Sequence, residues 1–399
     1  MRSSRTPRVL IVVENLSVPR DRRVWQEALA LRAAGYDVVV LCPRGEDRDT
    51  EPFELREGVA IHRYRAAMSA GGPLGYLNEY ARAAFATAWH ALRLSRRRPF
   101  DVVHACNPPD LLLPAVLPLR LRGTRFIFDH HDLVPELFRA RFGTRYRPLY
   151  AVAIALERLT FRLADVVIAT NESFRRVAIE RGHKRPEDVF VVRNGPDAER
   201  FRPAPADPGS RAGQHVIGYV GTMGPQDGVD HALRALARLA ERRGDWHAVL
   251  AGDGDALPQL KTLAAELALE ERVEFPGYLP MEQVIALLQS ADVCLAPEPK
   301  NALNDHSTLI KVAEYMSVGR PIVSFDLMES RVTAGEAAVY ATANDEAAFA
   351  AAIDELLDDP ARRRAMGETG RARVVGSLSW SHSVEQLLAA YEHCLRGPR

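Results

Sequence analysis

Short runs of aliphatic and β-branched residues recur along this chain, each followed by a stretch whose apolar positions fall three and four apart. Val9–Val13 is the first run, and Val24, Leu29 and Leu31 follow it with helical spacing up to Gly35. The same alternation predicts strands over Asp37–Leu41, Val59–Tyr64, Asp101–Ala105, Arg125–Phe128, Asp165–Ala169 and Val189–Val192, with helices between them, among them one from Tyr76 to about Leu94 and a long one ending at Leu163. Arg193-Asn194-Gly195-Pro196 and then Pro203, Pro205 and Pro208 break the rhythm, which marks a turn and a linker near 200–212. Beyond it the alternation restarts with Val216–Val220, His247–Ala251, Val273–Phe275, Val293–Ala296 and Pro321–Ser324. A last helix over Ser383–Leu395 carries apolar residues at Val384, Leu387, Leu388 and Tyr391, and it is expected to pack back on the first half. Strands separated by helices predict parallel sheets covered on both faces. The expectation is an α/β protein of two Rossmann-like doubly wound domains, 1–205 and 206–399, facing a central cleft.

Length and composition agree. A chain of 399 residues exceeds one ordinary core, and 47% hydrophobic with 26% charged residues is a globular composition. No apolar run approaches the ~18 residues of a membrane span, and Val9–Val13 is too short for a signal-peptide core, so a cytoplasmic protein is expected. Cys42, Cys106, Cys294 and Cys394 form no C-x-x-C pair and read as buried free thiols.

The net charge is zero but unevenly spread. Residues 1–200 hold 33 Lys+Arg against 24 Asp+Glu, and the remainder holds 19 against 28. Arginines cluster at Arg96–Arg98, at Arg120, Arg122 and Arg125, and at Arg139, Arg141, Arg145 and Arg147. Either the first half faces something anionic, such as the inner face of a membrane or a phosphorylated acceptor, or these arginines form a solvated face.

Candidate chemistry concentrates in Asp305–Val323, a loop, a helix and a strand. Ser307 or Thr308 can cap the helix, leaving the amides around Leu309 free, and a helix N-terminus with free amides seats a diphosphate. Lys311, one turn in, can add a positive charge. Glu314, a further turn along, can accept both hydroxyls of a ribose. Gly319-Arg320-Pro321 closes the helix and opens the next strand.

This segment resembles the donor-binding helix of the family-four retaining glycosyltransferases, whose GT-B fold has two Rossmann domains. Four other segments are similar to that family in order and spacing: Asp21–Ala28 with Leu31 and Gly35, Phe128-Asp129-His130-His131-Asp132, Val192–Asp197 with Phe201 and Pro203, and Gly218–Met223. The resemblance spans essentially the whole chain. It implies a hexosyltransferase that uses a nucleotide sugar, UDP before others, with no metal and no cofactor. The acceptor it implies is a cell-surface glycan, a lipid-linked molecule or a small molecule; nucleic acid is not a partner. The family's second Glu falls on Glu314, and its interdomain histidine on His131, expected to touch sugar hydroxyls rather than to act as a base. Gly221, Thr222, Met223, Ser307, Thr308, Leu309 and Lys311 fall on the donor side. Arg20, Arg22, Arg23, His130 and Asp132 are the candidates on the acceptor side. Where the family has its first Glu, this chain has His306 beside Asp305, either of which, or the amides of Ser307–Leu309, can take over the sugar. Gln226-Asp227-Gly228 lacks the family's phosphate-binding Arg and Lys, which leaves Lys311 to neutralise the diphosphate, and Glu14-Asn15-Leu16-Ser17 replaces a Gly-Gly loop. Asp253-Gly254-Asp255 has the look of a metal-binding D-x-D but follows a strand, where a Gly-Asp turn commonly opens a helix. The alternatives are a nucleotide-sugar-binding protein or an epimerase of the same fold.

Overall fold

The computed structural model describes residues 6–45, 49–65, 72–108, 112–143, 146–204 and 213–397; Arg145, Pro205 and Pro208 lie outside them. The chain forms two compact units, Met1–Arg193 joined by Ser383–Arg399, and Asn194–His382. Among the described residues no helix is long and apolar enough to cross a membrane.

The first unit is built on strands β1 (Arg8–Val12), β2 (Asp37–Pro43), β3 (Phe53–Arg56), β4 (Val59–Tyr64), β5 (Val102–Cys106), β6 (Arg125–His130), β7 (Val166–Ala169) and β8 (Val189–Val191). Their order across the sheet is β3-β4-β2-β1-β5-β6-β7-β8. All neighbours run parallel except β3, which is antiparallel to β4. Helices on both faces explain why Val9–Val13 reads as an unbroken apolar run: every one of these side chains is buried. The helix Arg22–Ala33 starts where the Asp21 carboxylate accepts the Val24 amide at 3.1 Å.

The second unit repeats the plan with β9 (His215–Val220), β10 (Trp246–Ala251), β11 (Val273–Gly277), β12 (Val293–Ala296), β13 (Ile322–Phe325) and β14 (Ala338–Ala341). These lie in the order β11-β10-β9-β12-β13-β14, all parallel. Val229, Ala232, Leu233, Leu236 and Leu239 of the helix Val229–Ala240 face its core, each buried leucine contributing about 1.5–3 kcal/mol. Strand order reverses between β1 and β5 in one sheet and between β9 and β12 in the other, and in such sheets ligands bind beyond the carboxyl ends at these switch points.

Three features differ from the sequence expectation. Strand β3 is a short edge strand whose Phe53 and Leu55 are exposed, so burial leaves no signature; the turn Glu57-Gly58, with positive φ at both residues, folds it onto β4. Strand β14 sits in an alanine-rich stretch with no strand-like run and is fixed by its register on β13, Ile322 opposite Ala338. The division between units falls at Arg193/Asn194 rather than at 205. Gly195 already packs on the second unit, where a Cβ would lie 2.4 Å from the Leu378 carbonyl oxygen. The Trp380 amide donates to Pro196 O at 3.1 Å, and Phe201 is buried in that unit's core. The helix Trp380–Arg396 then packs on the first unit, as expected. Tyr391 meets His104 Nδ1 at 2.7 Å, and Ser383 donates to Arg193 O at 2.8 Å. All four cysteines are buried free thiols.

Candidate functional site

In the second unit the switch point lies between the ends of β9 and β12, and the chain continues there as Gly221-Thr222-Met223 and Pro297-Glu298. Lys311, from the helix Ile310–Ser317, reaches between them. Its ammonium donates to Glu298 Oε1 at 2.5 Å and to the Tyr219 hydroxyl at 2.9 Å. The Tyr219 hydroxyl in turn donates to Thr222 O at 2.8 Å. The ammonium lies directly beneath Gly221: a Cβ there would be 2.7 Å from Lys311 Nζ, so a larger residue would push the ammonium aside. Burial disfavours the charged lysine, but the Glu298 carboxylate outweighs it and holds the ammonium well above its ordinary range. Asp227 lies close enough to feel both charges. Burial raises it to about 6, Lys311 opposing and Glu298 adding to the rise.

Two loops brace this cluster. The Asp227 carboxylate accepts the Gly224 amide at 2.9 Å, and the buried Asn304 amide donates to Gln226 O and Pro299 O at 3.0 and 2.9 Å. At Gly252, φ is +152° and a Cβ would stand 1.8 Å from Gly221 O, so this glycine lets the loop after β10 close onto the loop after β9. Asp253-Gly254-Asp255 belongs to that contact. Asp253 O accepts the Met223 amide at 3.0 Å, and the Asp253 side chain accepts the Gly254 amide at 2.8 Å. Neither aspartate falls in a metal-like group among the described residues.

The helix Ile310–Ser317 is anchored by Tyr315, whose hydroxyl accepts the Val220 amide at 3.0 Å. Its Glu314 is 5% exposed, so this carboxylate is buried and not a solvated one. The expected cap is corrected: the N-cap is Leu309, whose apolar side chain makes no capping hydrogen bond. The Ser307 hydroxyl is turned back to Leu303 O at 2.8 Å. His306 Nδ1 lies 3.0 Å from Ala302 O, inside its own loop. Asp305 accepts the Met328 amide at 2.9 Å and sits 3.4 Å from Lys300, so it ties the loop to the following helix. Glu298 and Asn304 escape a sequence reading, and Tyr219 and Asp227 fall in the Gly218–Met223 and Gln226–Gly228 segments without a role of their own. Glu298 does carry a signal, its place just past the carboxyl end of a strand.

The first unit holds a second charged cluster. Arg23 grips Asp129 with two hydrogen bonds of 2.9 and 2.8 Å, donates to Val192 O at 2.9 Å and lies 3.1 Å from Glu27. Buried and fully engaged, it is a brace and not the acceptor-binding arginine expected from the sequence. His130 is corrected likewise. It is buried among the rings of Phe128, Phe161 and Phe174, with Glu157 3.3 Å from Nε2. Consecutive residues leaving a strand point to opposite faces, so His131 turns the other way. Its Nδ1 meets Asp129 Oδ2 at 3.1 Å. Burial opposes the charged ring, but Asp129, with help from Asp132, outweighs it and raises His131 to about 9. The buried Asn107 side chain fixes this loop, accepting the amides of His131 and Asp132 at 2.9 and 3.1 Å and donating to Asp132 O at 2.7 Å. Arg20 and Arg22 are exposed at the start of the helix Arg22–Ala33. Glu27, His104, Cys106 and Asp129 lie close enough together to suggest a metal site, but the Arg23 guanidinium already supplies the positive charge on their carboxylates.

Chemically, the second unit offers an uncapped helix start, a lysine under a glycine loop and a buried carboxylate at a switch point, the parts of a diphosphate and ribose seat. The first unit offers an imidazolium at the end of β6. Comparison with known proteins agrees. Residues 21–195 match the family described as glycosyl transferase 4-like domain, and residues 214–359 match glycosyl transferases group 1. The chain is 28% identical over 290 residues to a 2-deoxystreptamine glucosyltransferase of Streptomyces kanamyceticus, covering 70% of this chain and 72% of that protein. It is also 28% identical to a glycogen synthase of Mycobacterium tuberculosis, over 95% of this chain and 92% of the relative. A sucrose-phosphate synthase from Thermosynechococcus elongatus superposes with a TM-score of 0.77 at 20% identity, over 97% of this chain and 98% of the other. Anabaena HepE, solved in complex with UDP and glucose, does so with 0.73 at 18%, over 97% and 99%. Both families and both folds converge: the chain is a glycosyltransferase and belongs to the GT-B glycosyltransferase family.

Proposed function

We propose that the protein transfers a hexose from a nucleotide sugar, UDP-linked before others, to a glycan, lipid-linked or small-molecule acceptor with retention of configuration. The observation that carries this is the Lys311–Glu298–Tyr219 group beneath Gly221, next to the buried Glu314. A departing nucleoside diphosphate builds charge on its β-phosphate, and preorganised donors in a dry site stabilise that charge most. The amides at the uncapped helix start face it first. Lys311 adds its charge from below, reduced by Glu298. Glu314 holds the ribose hydroxyls. No step calls for a metal or cofactor. Retention follows if the acceptor attacks from the leaving group's side and that phosphate takes the acceptor proton. His131, an imidazolium oriented by Asp129, donates a hydrogen bond to a sugar hydroxyl instead of accepting a proton. Arg20 and Arg22 replace Arg23 as candidates for an acceptor phosphate, and Asp132 stays a candidate for an acceptor hydroxyl. Support for UDP comes from the fold shared with a UDP-bound glycosyltransferase.

The arginine-rich first unit further favours reversible contact with an anionic membrane, each arginine gaining about 1 kcal/mol near the surface. Salt strips such contact. The deciding experiment incubates UDP-, GDP- and dTDP-sugars with the enzyme in EDTA, measuring binding by thermal shift and slow donor hydrolysis without acceptor. Binding and hydrolysis of one nucleotide class are expected. Activity lost in EDTA and restored by magnesium or manganese would overturn the metal-free mechanism, and no response to any nucleotide sugar would overturn the donor assignment.

A further inference from the structure

A basic pocket in the first unit lies apart from both candidate sites and shares no lining residue with them. It has a volume of about 440 Å³ and forms where β4, the start of β3 and the residue after β2 meet the last turns of the helix Gly72–Arg97. Five arginines line it, Arg44, Arg63, Arg65, Arg93 and Arg97, and among the described residues no carboxylate does. Arg63 is neutralised, by Glu54 at 2.6 Å and Asp49 at 3.6 Å. Among the described residues the other four guanidinium groups make no ion pair, and Arg44 Nε is buried without a hydrogen-bond partner. Buried donors in folded proteins are almost always satisfied, by protein, water or ligand. His62 and His90 report the same field from within the pocket. Burial lowers both, and neighbouring cations lower them further, Arg8 and Arg97 at His62 and Arg93 at His90.

We propose that this pocket binds a phosphate ester. Forked guanidinium groups match the oxygens of a phosphoryl group, and several unpaired cations around one cavity are stabilised by an anion between them. The volume is at the lower end for small-molecule sites and exceeds what an inorganic phosphate fills. Pro52, Phe53 and Leu94 supply an apolar wall for the organic body of the ester. That body belongs either to a soluble molecule or to a lipid headgroup. The same helix exposes Phe85 and Trp89, 72% and 58%, on a neighbouring stripe, as a lipid source would require.

Calorimetric titration of glycerol 3-phosphate into the full chain tests the site, with Arg93→Gln/Arg97→Gln and Lys311→Met run beside the native protein. Both arginines are exposed, so the double variant should keep the native circular dichroism. Binding is expected in the native protein and in Lys311→Met alike, weakened about tenfold or more in the double variant. Co-sedimentation with phosphatidylcholine vesicles carrying phosphatidic acid, against vesicles carrying phosphatidylserine at equal charge, identifies the source. Preference for phosphatidic acid that the double variant loses assigns a lipid headgroup, and binding in solution alone assigns a soluble ester. If neither glycerol 3-phosphate nor phosphatidic acid binds, the proposal is overturned. It also fails if the double variant binds as the native protein does, or if only Lys311→Met loses binding, which would place the anion at the donor seat.

Discussion

Replacing Lys311 by Met removes the one cation that, among the described residues, contacts Glu298, a carboxylate 1% exposed, and takes away a counter-charge of Asp227 as well. Removing one partner of a buried ion pair costs about 3–5 kcal/mol, because the remaining charge must be neutralised or hydrated. For a unit of this size each kcal/mol is worth roughly 2–4 °C, so the second unit should melt about 10 °C lower. Glu298→Gln should cost less, since Asp227 can stay ionised beside the lysine. The double variant Lys311→Met/Glu298→Gln removes both charges and should regain most of the loss, giving a coupling of about 2–3 kcal/mol. Urea denaturation at pH 7.5, followed by circular dichroism and by the fluorescence of the buried Trp246 in the same unit, measures all four proteins. If Lys311→Met lies within about 1 kcal/mol of the native protein, or if the two single effects simply add, the pair is not the buried, mutually dependent one described here.

Three further outcomes follow from other parts of the structure. His131, raised to about 9, should still be an imidazolium at pH 7.5 when its ring is titrated by NMR. Its raised value contributes about 3 kcal/mol of stability that is fully present below the ordinary 6.5 and is lost as pH rises through 9; a midpoint near 6.5 in the native protein would contradict the Asp129 contact. Asp129→Asn should bring that midpoint down, since burial and the Arg23 charge are then opposed only by the weaker pull of Asp132. Gly252→Ala, with its Cβ driven against Gly221 O, should lower stability by about 3 kcal/mol or more in urea and abolish nucleotide binding; a native-like midpoint would show that the two loops can part.

The parallel sheets were legible because buried strands such as Val9–Val13 and Val216–Val220 leave continuous apolar runs, and the helices between them leave the complementary spacing. Strand β3 was not, since Phe53 and Leu55 point to solvent and carry no burial signal. On the helix Ile310–Ser317, Lys311 and Glu314 stood out as charges in an otherwise apolar helix. Glu298 and Tyr219 could not be joined to Lys311 by sequence, because they meet it only when the ends of β9 and β12 come together. The same holds for Arg23: an arginine in the first turn of a helix looks available until its bidentate partner Asp129, on β6, is in view. Ser307 failed as a cap because the helix starts later, with Leu309 at the N-cap, and the Ser307 hydroxyl turns back to Leu303 O.

On the function proposed above, Glu314 holds the ribose of a nucleotide seated at the start of its helix. Calorimetric titration of UDP and of 2′-deoxy-UDP into the native protein and Glu314→Gln tests it most directly, because each change removes one side of the same contact. A carboxylate hydrogen bond is worth about 1.5–3 kcal/mol, so the native protein should bind UDP at least about tenfold more tightly than the deoxynucleotide. Glu314→Gln should bind the two almost equally, and UDP itself about as weakly as the native protein binds the deoxy form. Equal discrimination by both proteins, or unchanged UDP affinity in Glu314→Gln, would contradict the assignment of the donor seat.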